Sequence, residues 1–332
     1  MNKLKILVIA AAAASLCASC VKPESSGLND GNKRYLDAWM KINHPDAIRE
    51  GMGIYILDET AGAGTAFGNA EDYPYAYVSY TSSDLDGNIQ ETTDADIAKQ
   101  VGTYNDASYY GPVVKLRSIT AFTAGQEMVL SPMRVGGTRK AVIPGWFATL
   151  NRYDTEKEYL DQVTGDDCIY TVTVHDVIKD ITQWQIDSIA RYLTHQYSHA
   201  IDSTKFGFYY IQTQEPVDTT SFDSSAKVYV NYTGSLLNGK VFDTSDANTA
   251  KDAGLYSSSK TYEPMEVTLN SDYKEIQGVI EGIAFCVSRM KKGEKGTCVF
   301  YSGIGYQGES KTSIPAFSPL RFDLEMLGTS KN

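Results

Sequence analysis

Residues 228–245 read VYVNYTGSLLNGKVFDTS, an apolar strand, a turn and a second strand that closes on Phe242-Asp243. An aromatic beside an acid offers an apolar wall with one polar handle. Groups suited to covalent or metal chemistry lie scattered elsewhere. His195 and His199 stand four apart at a helix end, a spacing that can bind metal, but no acid or third ligand accompanies them and a solvated pair is expected. His44 and His175 have no catalytic partner in sequence. GAGTAFG (62–68) lacks the glycine spacing and following helix of a dinucleotide loop and reads as a flexible turn. Cys168, Cys286 and Cys298 are odd in number and irregular in spacing, so they read as small buried hydrophobes, with a Cys286–Cys298 bridge as the alternative. No metal or cofactor is expected. Phe242-Asp243 therefore stands as the candidate site, an apolar wall with one polar handle.

Such walls need a framework. The chain of 332 residues is 42% hydrophobic and 21% charged, which fits two globular domains with adequate cores. Its net charge of −11 leaves no basic footprint and argues against a nucleic-acid partner. Residues 1–20 have the layout of an export signal: Lys3 and Lys5, an apolar run too short to span a bilayer, then small residues. Leu16-Cys17-Ala18-Ser19-Cys20 resembles a bacterial lipobox, although Cys17 takes the place of the usual aliphatic residue. Lipidation of Cys20 would anchor the chain in the cell envelope, at the periplasmic or surface face of the outer membrane. An ordinary cleaved signal without lipid is the alternative. Residues 21–50 read as a polar tether and a helix with Leu36, Trp39, Met40 and Ile42 at helical spacing.

Beyond the tether the elements come twice. A helix (around 33–42, then 181–197) precedes an aromatic strand (51–57, then 206–212). YVSYTSSDLDG (77–87) then answers YVNYTGSLLNG (229–239), MRVGGTRKAVIP (133–144) answers MKKGEKGTCVFY (290–301), and IYTVTVHDV (169–177) answers LRFDLEML (320–327). This predicts two copies of one module of about 130 residues, 51–180 and 199–332, joined by a helix at 181–198. Alternating strands dominate each copy, which indicates an antiparallel α+β fold. In the second copy Ile280, Ile283, Phe285, Val287 and Met290 suit a short helix on the sheet, with Gly293 as its stop.

The succession YTG (232–234), NGKVFD (238–243), VIEGI (279–283), MKKGEK (290–295), GYQG (305–308), SIP (313–315) and LRFDLEML (320–327) resembles the FKBP-type peptidyl-prolyl isomerases over about 100 residues. The resemblance implies a five- or six-stranded antiparallel half-barrel wrapped on one short helix. It also implies a prolyl pocket lined by Tyr232, Phe242, Asp243, Val279, Ile280, Ile283, Tyr306, Ile314 and Phe322. Ile283 stands where the family usually has a tryptophan floor, and Met265 falls near a wall usually supplied by phenylalanine. In the implied scheme the apolar walls hold a proline ring, Tyr306 donates to a substrate carbonyl, and Asp243 at the rim orients a neighbouring donor. Clients would be proline-containing polypeptides.

In the first copy Tyr80 answers Tyr232, but Gln90-Glu91 replaces Phe242-Asp243 and TAFTAGQE (120–127) replaces VIEGI, placing Thr123 and Gln126 at pocket positions. An FKBP-like domain without activity is expected there, used for packing, spacing or client contact. VIPGW (142–146) looks like the family's floor motif, but it follows MRVGGTRK, and this register puts Trp146 past a strand end. The expected function is an exported isomerase that assists folding. The alternative is a non-catalytic peptide-binding or assembly lipoprotein.

Overall fold

The computed structural model describes residues 27–118, 120–162, 165–198, 201 and 203–331. The export signal, Cys20 and His199 lie outside the described residues. Helix α1 (Asp30–Asn43) leads into β1 (Ile48–Arg49), β2 (Tyr55–Thr60), β3 (Tyr75–Ser83) and β4 (Ile89–Thr92). Then come α2 (Ala95–Gln100), β5 (Val113–Leu116), α3 (Ala124–Leu130), β6 (Thr138–Ile143), α4 (Glu156–Leu160) and β7 (Cys168–Ile178). Helix α5 (Ile181–Gln196) begins the second round: β8 (Ser203–Lys205), β9 (Phe208–Gln214), β10 (Lys227–Leu236), β11 (Val241–Thr244), α6 (Ala247–Asp252), β12 (Met265–Thr268), α7 (Glu281–Val287), β13 (Lys295–Phe300) and β14 (Leu320–Gly328).

The two sheets have one topology. The first runs β1-β2-β6-β7-β3-β4 with β5 on β3, and the second runs β8-β9-β13-β14-β10-β11 with β12 on β10. Every pairing is antiparallel. Each sheet has seven strands rather than five or six, because short edge strands such as β1 and β8 add to the framework with too few residues to show alternation. The sheets curl on their short helices, α3 in the first module and α7 in the second.

The duplication extends to hydrogen bonds and ring contacts, between residues separated by the same number of positions throughout 80–116 and 232–268. Thr81 and Thr92 hydroxyls meet at 2.7 Å, and Thr233 and Thr244 at 2.9 Å. Tyr104 stacks on Tyr110 at 5.1 Å beneath Lys99, and Tyr256 on Tyr262 at 5.4 Å beneath Lys251. The glycines of the helices agree as well. A Cβ on Gly125 would lie 2.3 Å from Ile143, and one on Gly282 would lie 2.6 Å from the Phe300 ring.

Helix α5 packs on both modules. Its N-cap Asp180 accepts from Thr182 and Gln183, and the Trp184 indole donates to Asp176 at 2.8 Å. On the other side buried Gln185 clamps Ser302, receiving its backbone N–H at 2.7 Å and donating to its Oγ at 3.0 Å. Ile189 and Leu193 pack on Val299.

Two local expectations are corrected. Gly293 has φ 76° but lies in the turn before β13, its N–H bonded to Met326 O, while α7 ends at Val287 with Ser288 as C-cap. The 62–68 stretch is tightly held: Phe67 is fully buried, and the buried Arg117 guanidinium donates to the carbonyls of Phe67, Gly68 and Asn69 while lying 3.8 Å from the Phe67 ring centroid. A buried cation that satisfies loop carbonyls removes their need for water. Cys286 and Cys298 are buried, Cys168 is half-buried, and all three are free thiols. Burial pushes the Cys168 thiol up to about 11.

Candidate functional site

Strand register builds the site around Gly234. On β10 it pairs with Asp243 of β11 on one side and Phe322 of β14 on the other. A Cβ there would sit 2.6 Å from the Phe242 ring and 2.7 Å from the Phe322 ring. Only glycine lets both rings close over the strand. Phe242 meets Phe322 edge-on at 5.5 Å and 79°, a favoured aromatic geometry. Phe322 in turn stacks on Phe300 at 5.9 Å and 4°, and Phe300 on Phe208 at 5.9 Å and 9°.

The structure brings the sequence-assigned side chains into one cluster. Ile283, Ile314 and Phe322 are buried members of the second core, and Tyr232, Phe242, Val279, Ile280 and Tyr306 pack half-buried against it. Ile280 is the N-cap of α7 and gives no side-chain cap, which leaves it free as a wall residue. Asp243 joins through hydrogen bonds. It accepts from the Tyr232 hydroxyl at 2.9 Å and pairs with Lys260. Among the described residues the Tyr306 hydroxyl has no hydrogen-bond partner. Met265 packs half-buried against the same core.

Burial pushes both phenols up, with Asp243 adding to the effect at Tyr232 and at Tyr306. Their ordinary value is about 10, so both remain protonated donors at neutral and mildly alkaline pH. The turnover rate is therefore expected to be flat from about pH 7 to 9. A group with a raised folded pKa contributes stability that is intact below its unfolded value and lost as pH rises through the folded one. Melting temperatures measured from pH 7 upward are expected to hold until about pH 10 and then fall.

The first module keeps the handle and changes three of the assigned wall positions. Tyr80 donates to Glu91 at 2.5 Å, the counterpart of Tyr232–Asp243, but Gln90 in the position of Phe242 is exposed. Without that ring, Ser82 can stand where the second module needs Gly234. Thr123 and Gln126 are consumed in a capping box: Thr123 Oγ1 accepts from the Gln126 N–H at 3.2 Å and Gln126 Oε1 from the Thr123 N–H at 3.0 Å. Such reciprocal bonds fix a helix start and offer no apolar wall. Trp146 lies past the end of β6, buried, its indole donating to Met52 O at 3.3 Å.

Lys260 and Tyr109 were not foreseen. Lys260 lies in an irregular stretch and meets Asp243 only through the fold, while Tyr109 comes from the other module and packs on the second core. The other histidines stay apart from the site. His175 shares a 2.8 Å hydrogen bond with Ser79, and His44 lies beside Trp39. Among the described residues no group of three or more His, Cys, Asp or Glu is arranged to hold a metal ion.

Residues 218–327 match the family model described as FKBP-type peptidyl-prolyl cis-trans isomerase. No curated relative matches the chain. Among solved structures, the three FKBP domains of wheat FKBP73 are similar at 14% identity, with 84% of this chain and 95% of that one covered and a TM-score of 0.31. A peptidyl-prolyl cis-trans isomerase from Pseudomonas syringae pv. tomato shares 20% identity over 45% of this chain and 96% of its own, with a TM-score of 0.32. FkpA from Escherichia coli shares 24% identity over 45% of this chain and 65% of its own, with a TM-score of 0.31.

Proposed function

We propose, from the match of residues 218–327 to the FKBP-type peptidyl-prolyl cis-trans isomerase family model, a lipid-anchored isomerase of the cell envelope whose turnover takes place in the second module. The observation that carries the placement is the closure of Phe242 and Phe322 over Gly234, beside Ile283 and Ile314, with the Tyr232–Asp243 pair at the rim.

The reaction is a rotation. Amide resonance sets a barrier of about 18–20 kcal/mol, and uncatalysed X-Pro isomerisation takes tens to hundreds of seconds. At the twisted top of the barrier resonance is lost and the amide is less polar than in either ground state. A water-poor apolar cup therefore favours the twisted form over the planar one, and that difference is what accelerates the step. Phe242, Phe322 and Ile283 hold the proline ring. Val279 and Ile280 line the entry. The unpartnered Tyr306 hydroxyl donates to a substrate carbonyl, and Asp243, held by Tyr232 and Lys260, keeps the polar rim in place. Each step uses side chains of this chain alone.

Anchoring rests on the N-terminal sequence, with its basic start, apolar run and Cys20 in a lipobox-like setting. No described helix is long and apolar enough to cross a membrane, so under this reading the lipid provides attachment. Fatty-acid labelling in a bacterial host is expected to mark the protein and to fail for Cys20→Ser. Equal labelling of the two would refute the anchor. For the enzyme, a protease-coupled assay of an X-Pro peptide is expected to give rates well above the spontaneous one. A rate equal to the spontaneous one would transfer the assignment to peptide binding without turnover.

A further inference from the structure

The wall residues Tyr306 and Ile314 belong to a long connection between β13 and β14, and the first module touches that connection at several points. The Tyr109 N–H donates to Thr312 O at 3.1 Å. The Tyr75 ring meets the Phe317 ring edge-on at 5.1 Å and 76°. Tyr109 itself packs half-buried against the second core. Nearby, Lys240 donates to Asp106 O, which ties the 104–112 loop to the β10–β11 hairpin.

A second observation concerns the backbone. Gln307 and Phe317 have φ of 53° and 60°, a region that residues other than glycine rarely occupy and hold only where the surroundings over-determine it. The Phe317 N–H bonds to Gln307 O at 2.8 Å and closes the loop on itself. Tyr75 of the first module braces the ring of the strained residue. A third observation concerns what the first module presents. Tyr80, whose hydroxyl meets Glu91 and Lys115, lines with them one cleft of about 400 Å³ that Lys311, Thr312 and Pro315 also line.

We propose that the first module is a positioning module. Its 104–112 loop and Tyr75 hold residues 306–319 of the second module in the conformation that receives proline. The proposal rests on the isomerase reading for its catalytic consequence, but its structural half stands separately. It accounts for a repeat that has changed its wall positions and kept its framework: what it binds is a loop of the same chain, met edge-on and through polar groups. Tyr109 is the positioning residue that touches both the loop and the core behind it.

The test uses the full-length protein with Tyr109→Ala, Tyr75→Ala and the conservative Tyr109→Phe. Hydrogen exchange of the peptides covering 306–319 is followed by mass spectrometry, beside kcat and KM for an X-Pro peptide. Both alanine variants are expected to exchange about tenfold faster in 306–319. Their kcat/KM is expected to fall about three- to tenfold, mainly through KM, while Tyr109→Phe stays close to wild type. Unchanged exchange in 306–319 in both alanine variants would overturn the proposal, as would an equal rise across the whole second module, which marks general destabilisation. If the wild type fails to turn over peptide, the isomerase reading falls, and the exchange measurement alone still decides whether the first module holds the loop.

Discussion

Phe242→Ala lowers kcat/KM for an X-Pro peptide by about ten- to a hundredfold while leaving the second module folded. Under the proposed function the ring forms one wall of the cup, and it meets Phe322 edge-on, a contact worth about 0.5–1.5 kcal/mol beyond its buried area. That ring pair supports the fold, whereas the lost apolar contact with the proline ring removes about 1.5–3 kcal/mol of transition-state stabilisation, and each 1.36 kcal/mol is a factor of ten. Phe242 is half-buried, so the cost in stability is smaller than for a core phenylalanine. Gln90→Ala at the equivalent position of the first module is expected to change the rate by less than about twofold. Steady-state kinetics of the two variants beside circular dichroism separates a lost wall from a lost fold. Equal rates for Phe242→Ala and wild type would place turnover elsewhere.

Gly282→Val unfolds or strongly destabilises the second module. A Cβ at this position would lie 2.6 Å from Phe300, and Phe300 cannot give way, being fully buried and stacked between Phe208 and Phe322. Overpacking of a tight core costs about 1–3 kcal/mol and occasionally more. The upper end applies where the obstacle is a ring held on both faces. A loss of about 3 kcal/mol corresponds to a fall in melting temperature on the order of 10 °C. Activity should fall with it, since a displaced Phe300 moves Phe322 and with it the cup. Calorimetry on the full-length variant is expected to show one transition shifted and the other in place. A wild-type profile would mean that the ring is not fixed as described.

Much of the fold was legible because the two modules repeat the same alternations in the same order, while the glycines with a packing duty emerge only from the structure. Gly125 and Gly282 each face a side chain of the following strand. The side chains that the family resemblance assigns to the pocket share the core of the second module. What could not be read depended on tertiary contact. The anchoring of the 62–68 loop comes from Arg117, nearly fifty residues away in the chain, and nothing local marks it. Edge strands of two or three residues show no alternation to read. Gly293 followed a helical pattern closely enough to suggest its stop, yet the bond from its N–H to Met326 makes it a turn residue next to the sheet. Lys260 at the rim and Tyr109 behind the loop reach their partners across the fold, and a single sequence carries no signal for such pairs.

The most direct test of the central claim is an NMR titration of isotopically labelled full-length protein with a proline-containing peptide, reading the peptide's cis–trans exchange in the same sample. The account predicts exchange cross-peaks that require the protein, together with shift changes at Tyr232, Phe242, Ile280, Ile283 and Tyr306. Exchange without those shifts, or shifts confined to Tyr80, Glu91 and Thr123 of the first module, would contradict it.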